Sequence, residues 1–280
     1  MSKERRTRRG FALRDVLACV AVAAILTPAL LAMGQARERA RSAYCKSNIS
    51  RIGKALAIYT AAFKDQWPWL IGSNEWSAAT GAARLEKPTE RTNYNVSALL
   101  FLLVRDGQDA NIFICPSTAD KPDPSTKTKV GGELVFINWD FSPWKDGNAE
   151  HVSYSYQCPF GDPNAGGSGV SSNSQAGLVV LADRTPAYDG LKPDFDWAKP
   201  GKDDPNTGMS QNHGGAVINL LYADLHVGES KGRADCGINN DSIYSASGKK
   251  DTEQGAGSLK LSDHLSVNDS FLVGPRKMDK

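Results

Sequence analysis

The sequence predicts an α+β fold in which one long N-terminal helix, membrane-spanning in its first half, packs on a C-terminal head built around an antiparallel sheet. Three observations predict it. An uncharged apolar run of eighteen residues, Val16–Met33, follows a basic cluster. Beyond that run, apolar positions recur at helical spacing as far as Phe63. After Trp67-Pro68-Trp69 the pattern changes to short β-prone runs separated by Gly, Pro, Asn, Asp and Ser.

The basic cluster is Lys3, Arg5, Arg6, Arg8 and Arg9. The run after it just reaches the roughly 17–25 residues that cross a bilayer core. Arg37, Arg39, Arg41 and Lys46 stand on its far side, partly offset by Glu38, so the positive-inside rule orients the segment only weakly. Pro28 predicts a kink that membrane helices tolerate. Gln35 to Arg41 is rich in helix formers, so the helix runs on, with Cys45, Ile49, Ile52, Leu56, Tyr59 and Phe63 forming a stripe for one-sided burial. A helix from near Phe11 to near Lys64 measures about 80 Å; the alternative is two helices broken near Gly34. The expected organisation is a basic leader over 1–10, a transmembrane helix over 11–34, its exported continuation over 35–66 and a globular head over 67–280. Two other leaders are legible: a signal-peptidase site at Ala32-Met33-Gly34, and a loose lipobox at Val16-Leu17-Ala18-Cys19 whose apolar stretch follows the cysteine instead of preceding it.

In the head, Val96–Val104 reads as a short helix ending at Asp106-Gly107, and Ile112–Cys115 as a short strand stopped by Pro116. Further strands are expected at Val152–Gln157, Gly177–Ala182, Ala216–Tyr222 and Phe271–Val273, with loops at Asp162–Ser174 and Lys199–Gln211. A chain of 280 residues, 40% hydrophobic and 23% charged, has the make-up of a globular protein. Its net charge of +2 gives no whole-molecule field for nucleic acid, and no nucleic-acid partner is expected.

The stretch Gly10-Phe11-Ala12-Leu13-Arg14-Asp15-Val16-Leu17 resembles the type IV prepilin signal. The resemblance implies cleavage by a prepilin peptidase between Gly10 and Phe11 and methylation of the new amino terminus. It makes Asp15 the fifth mature residue, whose carboxylate meets the amine of a neighbouring pilin or pseudopilin subunit during assembly. The family usually carries glutamate there with an apolar neighbour, whereas this chain has Asp15 beside Arg14. A pairing of those two within one helix end is the alternative to a contact between subunits. The segment Cys45-Lys46-Ser47-Asn48-Ile49 with Ile52-Gly53, Ala55 and Tyr59 is similar to the Cys-x-x-Asn-x-x-x-Ile-Gly-x-Ala stretch of prepilin-like proteins that end in a His-x9-Asp-Gly signature. That group often carries Phe-x-Cys-Pro-Ser, matched by Phe113-Ile114-Cys115-Pro116-Ser117, which implies a Cys45–Cys115 disulfide. Of the five cysteines, Cys19 lies in the apolar run. Exported, the other four allow three connectivities or remain buried thiols, with Cys158 and Cys236 unassigned.

Asp183, then His213 before Gly214-Gly215, then Asp224 and His226 follow the order of the group's C-terminal signature. Ten residues instead of nine separate His213 from Asp224, and Leu225 replaces the glycine. Two carboxylates and two imidazoles suit a divalent cation, zinc by the imidazoles or calcium by the carboxylates. The structural alternative has Asp224 capping a hairpin turn and His213 bonded to a neighbouring strand, with no cofactor. No HExxH, GxSxG or phosphate-binding loop is present, although Cys115 or Cys158 with His151, His213 or His264 can be written as nucleophile pairs. The expected function is a non-catalytic pilin- or pseudopilin-like subunit in the inner membrane, contacting lipid and other subunits. The alternatives are a monomeric tethered domain that binds an extracellular ligand, such as carbohydrate through its six tryptophans, or an exported metal-dependent hydrolase.

Overall fold

The computed structural model describes residues 13–63, 65, 67–68, 96–124, 128–130, 133–135, 138–142, 151–157, 170–171, 173–185, 209–232, 243–244, 270 and 272–273. Gly10, Phe11, Cys158, Cys236, His264 and most of the two expected long loops lie outside the described residues. The chain divides into two units, Met1–Ala40 and Arg41–Lys280. The boundary falls within helix α1, Leu13–Ala62, which contains Pro28. The helix continues through Gly34 as expected, and not as two helices broken there.

In the first unit α1 is long and apolar enough to cross a membrane. Its described large side chains are uncovered, with Leu13 76%, Ile25 71% and Leu30 63% exposed. In the second unit α1 becomes one-sided. Cys45, Ile49, Ile52 and Leu56 are fully buried, while Arg51 and Lys54 face outward. Tyr59 is partly buried and stacks on Phe63, which is 53% exposed, so the stripe fades at its end.

Helix α2, Val96–Arg105, is apolar on nearly every side and buried from Val96 to Phe101 and at Leu103 and Val104, as an interior helix must be. It stops in a Schellman turn: Gln108 N–H bonds Leu103 O at 3.0 Å and Gly107 N–H bonds Val104 O at 3.1 Å. Gly107 takes the positive φ of 104° that this closure requires. The expected strand at Ile112–Cys115 is instead a 3-10 turn, Ala110–Phe113. Asp109 causes the difference, because its carboxylate accepts Asn111 N–H at 3.0 Å and starts a helical turn where the apolar run alone suggests extension.

A small hairpin joins β1, Thr128–Val130, to β2, Glu133–Val135. The main sheet contains β3 (Tyr154–Gln157), β4 (Val179–Asp183), β5 (Ile218–Tyr222), β6 (Val227–Ser230) and β7 (Leu272–Val273), in the order β6-β5-β4-β3-β7. Every pairing in it is antiparallel. One core gathers the α1 stripe, α2, Phe113, Phe141, Tyr154, Tyr156, Val180 and Leu221 on the helix side of the sheet. Val179, Ala182, Met209, Ile218, Leu220, Ile243 and Tyr244 form a second core on the other side. A register shift between Val179 and Leu181 puts Val180 and Leu181 on the same side. Asp183 and Asn219 thereby join the face that meets α1, which positions the site described next.

Candidate metal centre

Four buried residues from four separate stretches of chain converge beneath α1. Cys45 comes from α1 itself, and Cys115 follows the 3-10 turn. Asp183 ends β4, and His213 lies in the turn that leads into β5. One ligand atom from each lies within 4.8 Å of all the others, so the group can hold a metal ion. Cys45, Cys115 and Asp183 have no exposed surface and His213 only 3%.

Each position has a local cause. The α1 stripe turns Cys45 inward, and three residues on, Asn48 Nδ2 donates to Ile114 O at 2.9 Å and fixes the segment bearing Cys115 to the helix. A buried ion pair secures the far side of that segment. Arg184 and Asp120 meet at 3.1 Å, and Ser153 donates to the same Asp120 oxygen. Ser153 N–H bonds Phe113 O at 2.8 Å, tying the 3-10 turn to β3.

Asp183 accepts four hydrogen bonds. To Oδ1 come the Cys45 thiol at 3.2 Å and Asn212 Nδ2 at 3.0 Å; to Oδ2 come Asn219 N at 2.7 Å and Asn219 Nδ2 at 3.1 Å. These fill the acceptor capacity of a carboxylate. His213 Nε2 lies 3.5 Å from Cys115 Sγ, 3.6 Å from Asp183 Oδ2 and 2.8 Å from Asn219 Nδ2. Cys45 Sγ also meets the Tyr154 hydroxyl at 3.3 Å. Asn212 Oδ1, buried beside the site, has no hydrogen-bond partner among the described residues.

Burial and charge divide the acids into two kinds. Burial raises the Asp183 carboxyl, opposed by His213 and the two asparagines. Burial also raises the Cys45 thiol well above its ordinary range, reinforced by its bond to Cys115 and by the charge of Asp183. Cys115 moves the other way, lowered to about 6, by its contact with the Cys45 thiol and then with His213, against the opposing effect of burial. Contact between the two thiols thus pushes them in opposite directions.

The structure places the expected site residues in two groups. Cys45 and Cys115 are neighbours and are both free thiols. Of the expected metal set, Asp183 and His213 are in the buried group, whereas Asp224 and His226 are not. Those two pair with each other on the β5–β6 turn, with side chains 44% and 54% exposed. Asp224 holds the turn as the structural alternative describes, accepting His226 N–H at 3.1 Å. Asn219, which orients Asp183 together with Asn212, carries no sequence signal, since an isolated asparagine is a surface or turn residue until the sheet register places it. Of the cysteine–histidine pairs, Cys115 and His213 are in contact. His151 bonds Lys121 O instead. The processing pair Gly10 and Phe11 lies outside the described residues, and Asp15 falls in the first turn of α1. Comparison of the chain with family models, with curated proteins and with solved structures finds no match.

Proposed function

We propose that the chain is a non-catalytic pilin- or pseudopilin-like subunit, held in the inner membrane by the first part of α1 with its head outside the cytoplasm. In this role it is processed by prepilin peptidase and joins a pilus or secretion filament through its apolar helix. The observation that carries the reading is the change of character within α1. One helix is apolar and uncovered in the first unit, then buries a single face in the second. A helix that served only its own head has no reason to present Leu13, Leu17, Val20, Ile25 and Leu30 more than half exposed. Lipid and neighbouring helices of the same kind both suit such a surface.

The competing functions draw less support. Among the described tryptophans, Trp67 is buried, and Trp139 lies 3.6 Å beneath the Arg105 guanidinium, so both are engaged within the head and not set out for sugars. For a metal-dependent hydrolase, the four ligating residues would fill a tetrahedral shell and leave no position for water.

Asp15 separates assembly from simple tethering. A carboxylate in an apolar helix costs about 2.5–3.5 kcal/mol near a bilayer centre, so it needs a partner. For an assembling subunit, Asp15→Ala leaves processing and membrane insertion intact and abolishes crosslinking between helices in the native membrane. Equal crosslinking in wild type and Asp15→Ala would instead make the protein a tethered binding domain.

A further inference from the structure

We propose that the head binds one zinc ion through Cys45 Sγ, Cys115 Sγ, His213 Nε2 and a carboxylate oxygen of Asp183, as a closed structural site. All four residues lie in the second unit, so the site is independent of how the first unit is anchored.

Geometry is the first support. A tetrahedral zinc with Zn–S near 2.3 Å and Zn–N or Zn–O near 2.0–2.1 Å sets its ligand atoms roughly 3.3–3.8 Å apart. Cys45 Sγ to Asp183 Oδ1 is 3.2 Å, Cys115 Sγ to His213 Nε2 is 3.5 Å, and His213 Nε2 to Asp183 Oδ2 is 3.6 Å. Through either Asp183 oxygen, two edges of the tetrahedron are therefore already close to their final lengths, and one ligand atom from each residue lies within 4.8 Å of the others.

Donor chemistry is the second. Two sulfurs and an imidazole select a borderline-soft ion over calcium or magnesium, which take oxygen shells. Four protein ligands, all buried, make the site structural. The third is its surroundings. Asp183 is fully buried with amides, a thiol and the His213 ring around it, while the adjacent Arg184 is paired with Asp120. The thiol and amide donors on Asp183 are neutral, and a divalent cation adds an opposite charge beside the buried carboxylate. The outer shell that metal ligands require is present too: Asn212 and Asn219 aim Asp183, and the Tyr154 hydroxyl touches Cys45 Sγ. Loading the site releases the thiol protons to solvent, so the metal replaces the Cys45 bond to Asp183 Oδ1, and it displaces the 2.8 Å approach of Asn219 Nδ2 to His213 Nε2, while the bonds from Asn219 to Asp183 Oδ2 can persist.

The ion ties α1, the Cys115 segment, β4 and the turn before β5 together at one point. That role differs from a Cys45–Cys115 disulfide, which joins only the first two and consumes the sulfurs.

The test uses the full chain, extracted in detergent without reductant from cells supplied with zinc. Metal content is measured by elemental analysis, and cobalt replaces zinc for absorption spectroscopy. The expected result is one zinc per chain, and a cobalt form with tetrahedral d–d bands and a thiolate charge-transfer band. Cys115→Ser and His213→Gln should each lower metal affinity by more than the roughly 10- to 100-fold typical of outer-shell changes, whereas Asp224→Ala should retain one zinc. Where a variant fails to fold, the wild-type cobalt spectrum decides. Substoichiometric zinc with no thiolate–cobalt band, or a Cys45–Cys115 disulfide in the isolated protein, overturns the proposal.

Discussion

Leu225 occupies a backbone conformation that its side chain disfavours, with φ at 71°. The β5–β6 connection is a turn closed by Leu225 N–H to Tyr222 O at 2.9 Å, followed by Tyr222 N–H to His226 O at 3.0 Å. That arrangement sets a left-handed residue directly after the turn, a place suited to glycine. The group that this chain resembles carries Asp-Gly in its signature, and the turn supplies a physical reason: the carboxylate holds the turn and glycine takes the left-handed position. A side chain there costs roughly 1–2 kcal/mol, part of which is recovered from the smaller freedom of leucine in the unfolded chain. Leu225→Gly should therefore stabilise the head by about 0.5–1 kcal/mol, read as a higher denaturant midpoint. A lower midpoint would show that Leu225 contributes packing that outweighs its strain. The candidate site was legible only in fragments at this scale. Cys45 and Cys115 stood out as a pair, and Asp183 and His213 as part of another set. Nothing local joins them, because the α1 stripe, the Asp109 turn and the shift in β4 do so through the tertiary fold.

Among the elements, periodicity succeeded where the pattern was long or strongly apolar. α1, α2 and the runs ending in β3, β4, β5 and β7 all lie where apolar spacing and turn residues place them, within two residues at most ends. β6, with Val227-Gly228-Glu229-Ser230, and the hairpin β1–β2, with three residues in each strand, were not legible, since neither has an alternating apolar face. Both owe their pairing to neighbouring chain instead of to their own composition. One element-to-element approach with a testable consequence is α1 on β5. A Cβ added at Gly53 would come within 2.9 Å of Leu221 Cδ1. Alanine at this helical position gains about 1 kcal/mol of helix propensity, which opposes the overpacking cost of about 1–3 kcal/mol. The balance for Gly53→Ala is close. Gly53→Leu adds three more carbons without comparable gain, so it should lower stability by about 3 kcal/mol. A thermal melt of the full chain in detergent checks this, and an unchanged midpoint would mean that α1 does not lie against β5 at Gly53.

At the scale of the whole molecule, the two units divide the work within one helix. The second unit has two cores and a buried polar centre, all the apparatus of a stable head. Among the described residues, the first offers a long apolar helical surface over the uncharged run, followed by Arg37, Glu38 and Arg39. What the apolar run cannot distinguish is a removed signal, a passive anchor or an assembling helix, because all three satisfy the same hydropathy. The leader residues distinguish them chemically, since each alternative leaves a different amino terminus. Mass analysis of the N-terminal peptide from membrane-extracted protein is therefore the most direct test. The proposed role predicts a mature chain that starts at Phe11 with a methylated amine, and Gly10→Val should block that processing. An intact Met1, or a start near Gln35, would contradict it.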